Sequence, residues 1–355
     1  MFKILFVMAF MLVGDANSYD ELQGAGDDDI HSIFNHIREI KIDGTEEFPL
    51  FRVSSLDVRD DMIAILDGTI PRVTLYDATG NPTFATGRRG SGPGDLLNPR
   101  WIGFTGSDQI AVLEGTGNNR IQFFSAHDGE SEDILSGNFL FPGRHAFTDS
   151  TETPPRLWIT VRASCPQDEG SQCVIQQVDL ATGEVERHFG STEEISPGAI
   201  GVPWILGRGD AGELYAAHTT AGGYIAVYDN DGTLLRRFAM DEASTMNVLE
   251  WDELPASTEE YFGLLQDGLL RSSIWALHVI GDDILVEHEA RGGGEPWTRY
   301  ISVFGTEGVY KTSVAVDFRG YAVQGDRIFF VEETDPEAEY GAFSIHEYRY
   351  TGVAE

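Results

Sequence analysis

The sequence predicts an all-β fold built from six copies of one four-stranded unit, and three observations lead there. Short apolar runs alternate with Gly, Asp, Asn and Pro along nearly the whole chain, and 40 of its 355 residues are glycine. A strand followed by a turn ending in glycine recurs at Tyr76–Gly80, His127–Gly129, Val178–Gly183, Tyr228–Gly232, Phe304–Gly308 and Tyr348–Gly352. The final glycines are spaced 49, 54, 49, 76 and 44 residues apart, and the one long interval holds an insertion at 240–271. A single such unit cannot bury both of its faces, so the copies must stack on one another. Six four-stranded units with this period make a six-bladed β-propeller of antiparallel blades.

The chain opens with Lys3 and the apolar run 4–13, which is too short to cross a bilayer. Ala16 and Ser18 have the small-residue spacing of a signal-peptidase site, so residues 1–18 are predicted to be an export signal cut after Ser18. The alternative is a buried N-terminal strand. No cysteine lies near the cut to carry a lipid, and no other segment is apolar enough to span a membrane. Residues 19–35, acidic and glycine-containing, are expected to form a disordered leader, with the propeller occupying 36–355. The last copy has room for three strands, near 321–323, 327–332 and 343–350. The alternating stretch His36–Ile42 has no other partner, so it is expected to supply the fourth strand and close the ring.

Residues 87–129 are the best-formed unit. A Gly/Pro lead (Gly87 to Gly94) precedes Pro99 and the inner strand. Glu114 ends the second strand, and Asn119-Arg120-Ile121-Gln122 opens the third. This segment resembles an NHL repeat, departing from it in having Glu114 where Asp is usual and Leu96 or Leu97 where Phe is usual. The whole chain is similar to secreted bacterial six-bladed propellers related to NHL proteins. That resemblance implies a fold more than a function.

The formal net charge is −34, and only Lys3, Lys41 and Lys311 are lysines. Such a surface repels a phosphate backbone, which excludes nucleic acid as a partner. The only cysteines, Cys165 and Cys173, are expected to form a disulfide across a loop in an exported protein. Hydrolase and phosphate-loop signatures are missing. There is no Gly-x-Ser-x-Gly and no His-Glu-x-x-His, and Gly90-Ser91-Gly92-Pro93-Gly94 is followed by no Gly-Lys-Ser/Thr.

In a four-stranded meander the blade-to-blade connections and the loops between second and third strands share one face. Length and irregularity concentrate there: the Gly-Arg-Arg loop 87–95, the Cys165–Cys173 loop, Gly292-Gly293-Gly294, the acidic loop 333–341 and the insertion. Within the insertion, Ser257 and Glu260 read as a capping box, and Tyr261, Leu264, Leu265 and Leu269 form a helical stripe. That helix either packs on the blades or covers the channel mouth.

Aligned without gaps, the second strands end in Asp67, Glu114, Val161, His218, His288 and Glu332, a ring of ionisable side chains. Asp67 and Glu114 precede Arg72 and Arg120 and read as structural acid–Arg pairs. His218 and His288, on adjacent blades, are candidates to bind ligand, to carry a divalent metal with Glu114 and Glu332 (His145 lying nearby), or simply to pack between blades. A second set, Arg52, Arg100, Arg144, Arg271 and Arg319 with Arg88 and Arg89, recurs near the inner-strand starts. Its members either pair with neighbouring acids or recognise an anion. The sequence thus predicts an exported, monomeric, non-catalytic propeller without a cofactor. It would bind a small anionic ligand or an extracytoplasmic protein through Arg88, Arg89, Arg100, Arg144, Arg271, Arg319, His218 and His288. The rival reading is a metal-dependent hydrolase or lyase of the lactonase or amidating-lyase propeller kind, with its site in the channel.

Overall fold

The computed structural model describes residues 30–106, 108–115, 118–136, 146–149, 155–164, 172–191, 204–209, 211–218, 224–240, 272–290 and 298–353. Within them the chain forms six four-stranded antiparallel sheets. Blade 1 comprises β2 (Val53–Arg59), β3 (Met62–Asp67), β4 (Arg72–Asp77) and β5 (Pro82–Thr86). Blade 2 comprises β6 (Pro99–Phe104), β7 (Gln109–Glu114), β8 (Arg120–Ser125) and β9 (Ser131–Ser136). Blade 3 comprises β10 (Ala146–Asp149), β11 (Arg156–Ser164), β12 (Gln172–Asp179) and β13 (Val185–Ser191). Blade 4 comprises β14 (Trp204–Arg208), β15 (Leu214–His218), β16 (Tyr224–Tyr228) and β17 (Leu234–Ala239). Blade 5 comprises β18 (Ser272–Ile280), β19 (Asp283–Ala290), β20 (Thr298–Gly305) and β21 (Tyr310–Val316).

Blade 6 takes three strands from the end of the chain, β22 (Arg319–Gln324), β23 (Arg327–Glu333) and β24 (Ala342–Tyr350). Its outermost strand is β1 (Phe34–Asp43), antiparallel to β24 from Phe34 opposite Tyr350 to Asp43 opposite Ala342. Residues 30–35, assigned to the leader by the sequence, pack with the described fold. Ile30, Ile33 and Phe34 are buried against Ile328, Phe330 and Tyr348, because leaving three large apolar side chains in water costs more than ordering the backbone that carries them. The helix expected at 257–269 lies outside the described residues.

Each blade is buried on both faces, and this explains why the second strands read as unbroken apolar runs. Along β3, Ile63 and Ile65 face blade 6 while Ala64 and Leu66 face blade 2. The described core accordingly divides into six clusters, one at each blade–blade interface. The turns on the face away from the mouth follow the sequence closely. Gly80, Gly129, Gly183, Gly232, Gly308 and Gly352 all have positive φ, between 72° and 90°, which a side chain would resist. Asp77, Asp179 and Asp229 secure three of these turns by accepting backbone N–H groups two to four residues on.

Candidate functional site at the channel mouth

The inner strand of a blade has one sheet neighbour only, so its other edge looks into the channel. Among the described residues, four of the six inner strands carry a β-bulge near their mouth end. The extra residue is Ser54 in β2, Arg100 in β6, Trp275 in β18 and Tyr321 in β22. A bulge kinks the strand and re-aims a side chain. Ser54 is exposed, and Arg100 and Trp275 are half-buried. In blades 1 and 2 the residue after the ring acid is glycine, and it makes room for the bulge. A β-carbon on Gly115 would press on Cγ of Arg100 at 3.2 Å, and one on Gly68 would overlap the Ser54 hydroxyl.

The ring acids hold the loops that enter these strands. Asp67 is buried and accepts N–H bonds from Phe51 (2.6 Å), Arg52 (3.3 Å), Thr69 (2.7 Å) and Ile70 (3.2 Å). Arg72 instead donates to the Glu47 carbonyl. Glu114, fully buried, accepts from the Asn98 amide (3.4 Å), from Asn118 and from Gln122 (3.0 Å). It also accepts a bond from the Leu97 amide at 2.5 Å and a tight ion pair from Arg120. Arg120 completes its fork on the carbonyls of Ser91, Gly92 and Asp95. The Gly-Arg-Arg loop is therefore anchored from beneath, with Arg88 and Arg89 exposed above it. Arg88 pairs with Asp95 at 2.6 Å yet keeps 85 % of its side chain in solvent.

His218 and His288 face different interfaces. Alternation along β15 turns His218 with Leu214 and Ala216 toward blade 3, and along β19 turns His288 with Ile284 and Val286 toward blade 4. Burial lowers their pKa values to about 3 and about 4, so both rings are neutral. His288 stacks on Tyr300, and its Nε2 meets Ser302 Oγ at 2.8 Å. A chain continues through Ser313 to the Tyr310 hydroxyl. Glu332 is exposed and meets His346 at 2.9 Å. The blade 6 bulge lies two residue pairs nearer its first turn than those of blades 1 and 5, so Phe330, not Glu332, stands opposite the bulge as Asp67 and His288 do. No group of three or more His, Cys, Asp or Glu side chains among the described residues could hold a metal ion. Arg144, Arg271, His145 and Cys165 lie outside the described residues.

Between blades 5 and 6 the mouth carries a mixed cluster. The Arg319 guanidinium lies 4.1 Å from the Trp275 ring centroid and reaches Glu289 at 3.4 Å, which also receives Arg299 at 2.8 Å. Beneath them, buried Glu287 accepts the Gly320 N–H at 2.9 Å through Oε2, while its Oε1 has no hydrogen-bond partner among the described residues. Asp57 likewise reaches the next blade, between blades 1 and 2, accepting the Phe104 N–H at 2.7 Å through Oδ2, while its Oδ1 accepts the Val58 N–H at 2.9 Å. Burial raises both carboxyls, Asp57 to about 6 and Glu287 to about 7. Sequence reasoning missed Asp57, Glu287, Ser54 and Trp275. The Asp67-Gly68 and Glu114-Gly115 pairs were the available signal for the bulges of blades 1 and 2, and the other two bulges have none.

No family model matches the chain, and no curated protein matches it in sequence. Solved structures that share its fold include the following two. A member of the DUF4221 family from Bacteroides vulgatus ATCC 8482 is 10 % identical with a TM-score of 0.65, covering 89 % of this chain and 97 % of its own. A protein of Bacteroides fragilis NCTC 9343 predicted to be exported is 11 % identical with a TM-score of 0.64, covering 92 % and 98 %. At this identity the likeness defines the class, a six-bladed all-β propeller. No helix among the described residues is long and apolar enough to cross a membrane.

Proposed function

We propose that this chain is an exported, non-catalytic, monomeric propeller that binds an anionic ligand or a protein partner at its channel mouth. The observation that carries the reading is the recurrence of the inner-strand bulge at the mouth end of four blades. A regular strand satisfies the fold better than a bulged one. Bulges near the mouth ends of these strands, at Ser54, Arg100 and Trp275 among others, re-aim side chains locally and so suit a binding face. Arg100 and Arg319 supply forked donors for carboxylate or sulfate. Arg88, Arg89, Arg144 and Arg271 complete the arginine set proposed from the sequence, while His218 and His288, buried between blades, leave it.

Export is supported by the apolar run behind Lys3 and by the predicted export of one structural neighbour. The NHL-like unit at 87–129 and a Cys165–Cys173 staple belong to the same reading. The β1–β24 pairing serves as the clasp of the ring. The test is thermal melting of the exported protein against a panel of small dicarboxylates and sulfated sugars. At least one should raise the melting temperature, and Arg100→Ala and Trp275→Ala should each abolish the rise. A stabilising anion whose effect survives both substitutions binds elsewhere and sinks the reading.

A further inference from the structure

Four polar atoms of blades 5 and 6 are buried without a hydrogen-bond partner among the described residues: Trp275 Nε1, His278 Nε2, Glu287 Oε1 and Arg319 Nε. They share one blade–blade interface. Along β18 and β19, Ala276 stands opposite Glu287, His278 opposite Leu285 and Ile280 opposite Asp283. Leu285 and Ile280 pack with Ile328 and Phe330 of blade 6, so alternation turns Glu287 and His278 to that same side. From blade 6, Gly320 donates its N–H to Glu287 at 2.9 Å, and the preceding Arg319 lies over the Trp275 ring. Each buried polar group left without a bond costs about 1–3 kcal/mol, so four in one interface call for a solute that completes them. Asp57, the other carboxyl that reaches a neighbouring blade, has both oxygens bonded. Gln176 and Gln177 in blade 3 also hold unpartnered atoms, but these side chains are sealed at 1 % and 0 % exposure. Trp275, His278 and Arg319 are half-buried on inner strands, where a solute reaches them from the channel.

The chemistry of the four atoms selects what fits. An indole N–H and a guanidinium N–H only donate, so the solute needs an acceptor facing Trp275 and Arg319. A neutral imidazole nitrogen and a carboxyl can donate or accept, which suits a hydroxyl beside His278 and Glu287. The charged groups facing Glu287 among the described residues are Arg299 from β20, Glu289 from its own strand and Arg319 from β22. Glu289 receives Arg299 at 2.8 Å and Arg319 only at 3.4 Å, which leaves the Arg319 charge incompletely paired. Burial raises Glu287 to about 7 and lowers His278 to about 4, so near pH 6 the carboxyl holds its proton and the imidazole is neutral. Two guanidinium charges against the Glu289 carboxylate then leave one positive charge, the complement of a single anion. The acidic stretches 43–47 and 333–341 are joined at the junction of blades 6 and 1, on the other side of blade 6, where Gly44 donates to the Gly341 carbonyl and Leu50 to the Tyr340 carbonyl. Stacked sheets stand about 10 Å apart, which restricts the solute to a few heavy atoms.

We propose that the interface of blades 5 and 6 at the channel mouth binds a small hydroxycarboxylate as its monoanion. The carboxylate accepts from Arg319 Nε and Trp275 Nε1, and the hydroxyl bonds Glu287 Oε1 and His278 Nε2. The proposal rests on the mouth being the binding face and gives it a ligand class and a place. Glu287 enters the complex as the carboxylic acid, so affinity follows its protonated fraction, about 90 % at pH 6 and about 10 % at pH 8.

The test is calorimetric titration of the full exported chain at pH 6 with lactate and with 3-hydroxybutyrate. Propanoate and butyrate are controls lacking the hydroxyl, and lactamide is the control lacking the charge. At least one hydroxycarboxylate should bind saturably, with its controls at least tenfold weaker. Trp275→Phe keeps a ring beside Arg319 and removes the N–H; it should weaken binding at least tenfold with an unchanged melting curve. Native affinity should fall about tenfold from pH 6 to pH 8, and Glu287→Gln should flatten that dependence. No saturable binding of either acid, equal binding of a control, a Trp275→Phe chain that binds as the native one does, or a pH dependence that survives Glu287→Gln would overturn the proposal. If both acids fail while another anion still stabilises the protein through Arg100 and Trp275, the mouth remains the binding face and only this ligand is lost.

Discussion

Replacing Glu287 by glutamine should stabilise the protein at pH 8 relative to its effect at pH 4.5. Glu287 is 2 % exposed, accepts one hydrogen bond from Gly320 and leaves Oε1 without a partner among the described residues. Burial pushes its pKa from 4.5 up to about 7, against the opposing pull of the Gly320 N–H, Arg319 and Arg299, and Glu289 adds a further push. The folded protein therefore keeps a proton that the unfolded chain releases near pH 4.5. Because the folded pKa is the higher one, this group's contribution is whole below the unfolded value and is lost as pH rises through about 7. The interval between the two corresponds to about 3 kcal/mol. Glutamine keeps an acceptor for Gly320 and cannot ionise. Urea unfolding of both proteins at pH 4.5, 6, 7 and 8 should show the stability difference moving by about 3 kcal/mol in favour of the variant. In thermal melts this is roughly 4 °C for a chain of this size. A difference that stays constant across the pH range would refute the assignment of a buried, proton-holding carboxyl. Any fixed cost of burying the amide is the same at every pH and cancels from the comparison.

Asp57→Asn should show the same sign over a narrower window, since burial raises Asp57 from 3.8 to about 6; paired urea titrations at pH 4 and pH 7 check it. Glu114→Ala leaves the buried Arg120 guanidinium without its carboxylate and should cost about 3–5 kcal/mol, seen as an earlier urea midpoint. Gly341→Ala should lower the melting temperature, because Gly341 has φ 82° and a β-carbon there would overlap the Leu50 carbonyl. On the proposed Cys165–Cys173 staple, reduction should lower stability by about 2–3 kcal/mol, with mass spectrometry counting the thiols before and after.

The parts of the fold legible in the sequence are those fixed by local chemistry. Glycine at the end of each strand-and-turn unit is required because the turn needs positive φ, so six glycines counted six blades. The continuous apolar second strands announced sheets buried on both faces. The pairing of Glu114 with Arg120 was also readable, since both lie within one blade and one turn apart, but its hold on the carbonyls of Ser91, Gly92 and Asp95 was not. The partner of Asp67 was not, because four backbone amides compete with Arg72 and lie closer to the carboxylate. Glu332 seemed equivalent to His288 by counting from the preceding turn, whereas the blade 6 bulge shifts the register by two pairs.

The sequence by itself determined the number of blades, the face that carries the long loops and the sign of the overall charge, because each depends on residue type and spacing along one strand or turn. Only the tertiary structure decided which face of a strand meets which neighbour. It turned His218 and His288 into separate interfaces, drew Asp57 and Glu287 onto the amides of the next blade, and set Arg100 and Trp275 at the mouth. These placements depend on strand register and on the stacking of one blade against the next, and no single stretch of the chain encodes either.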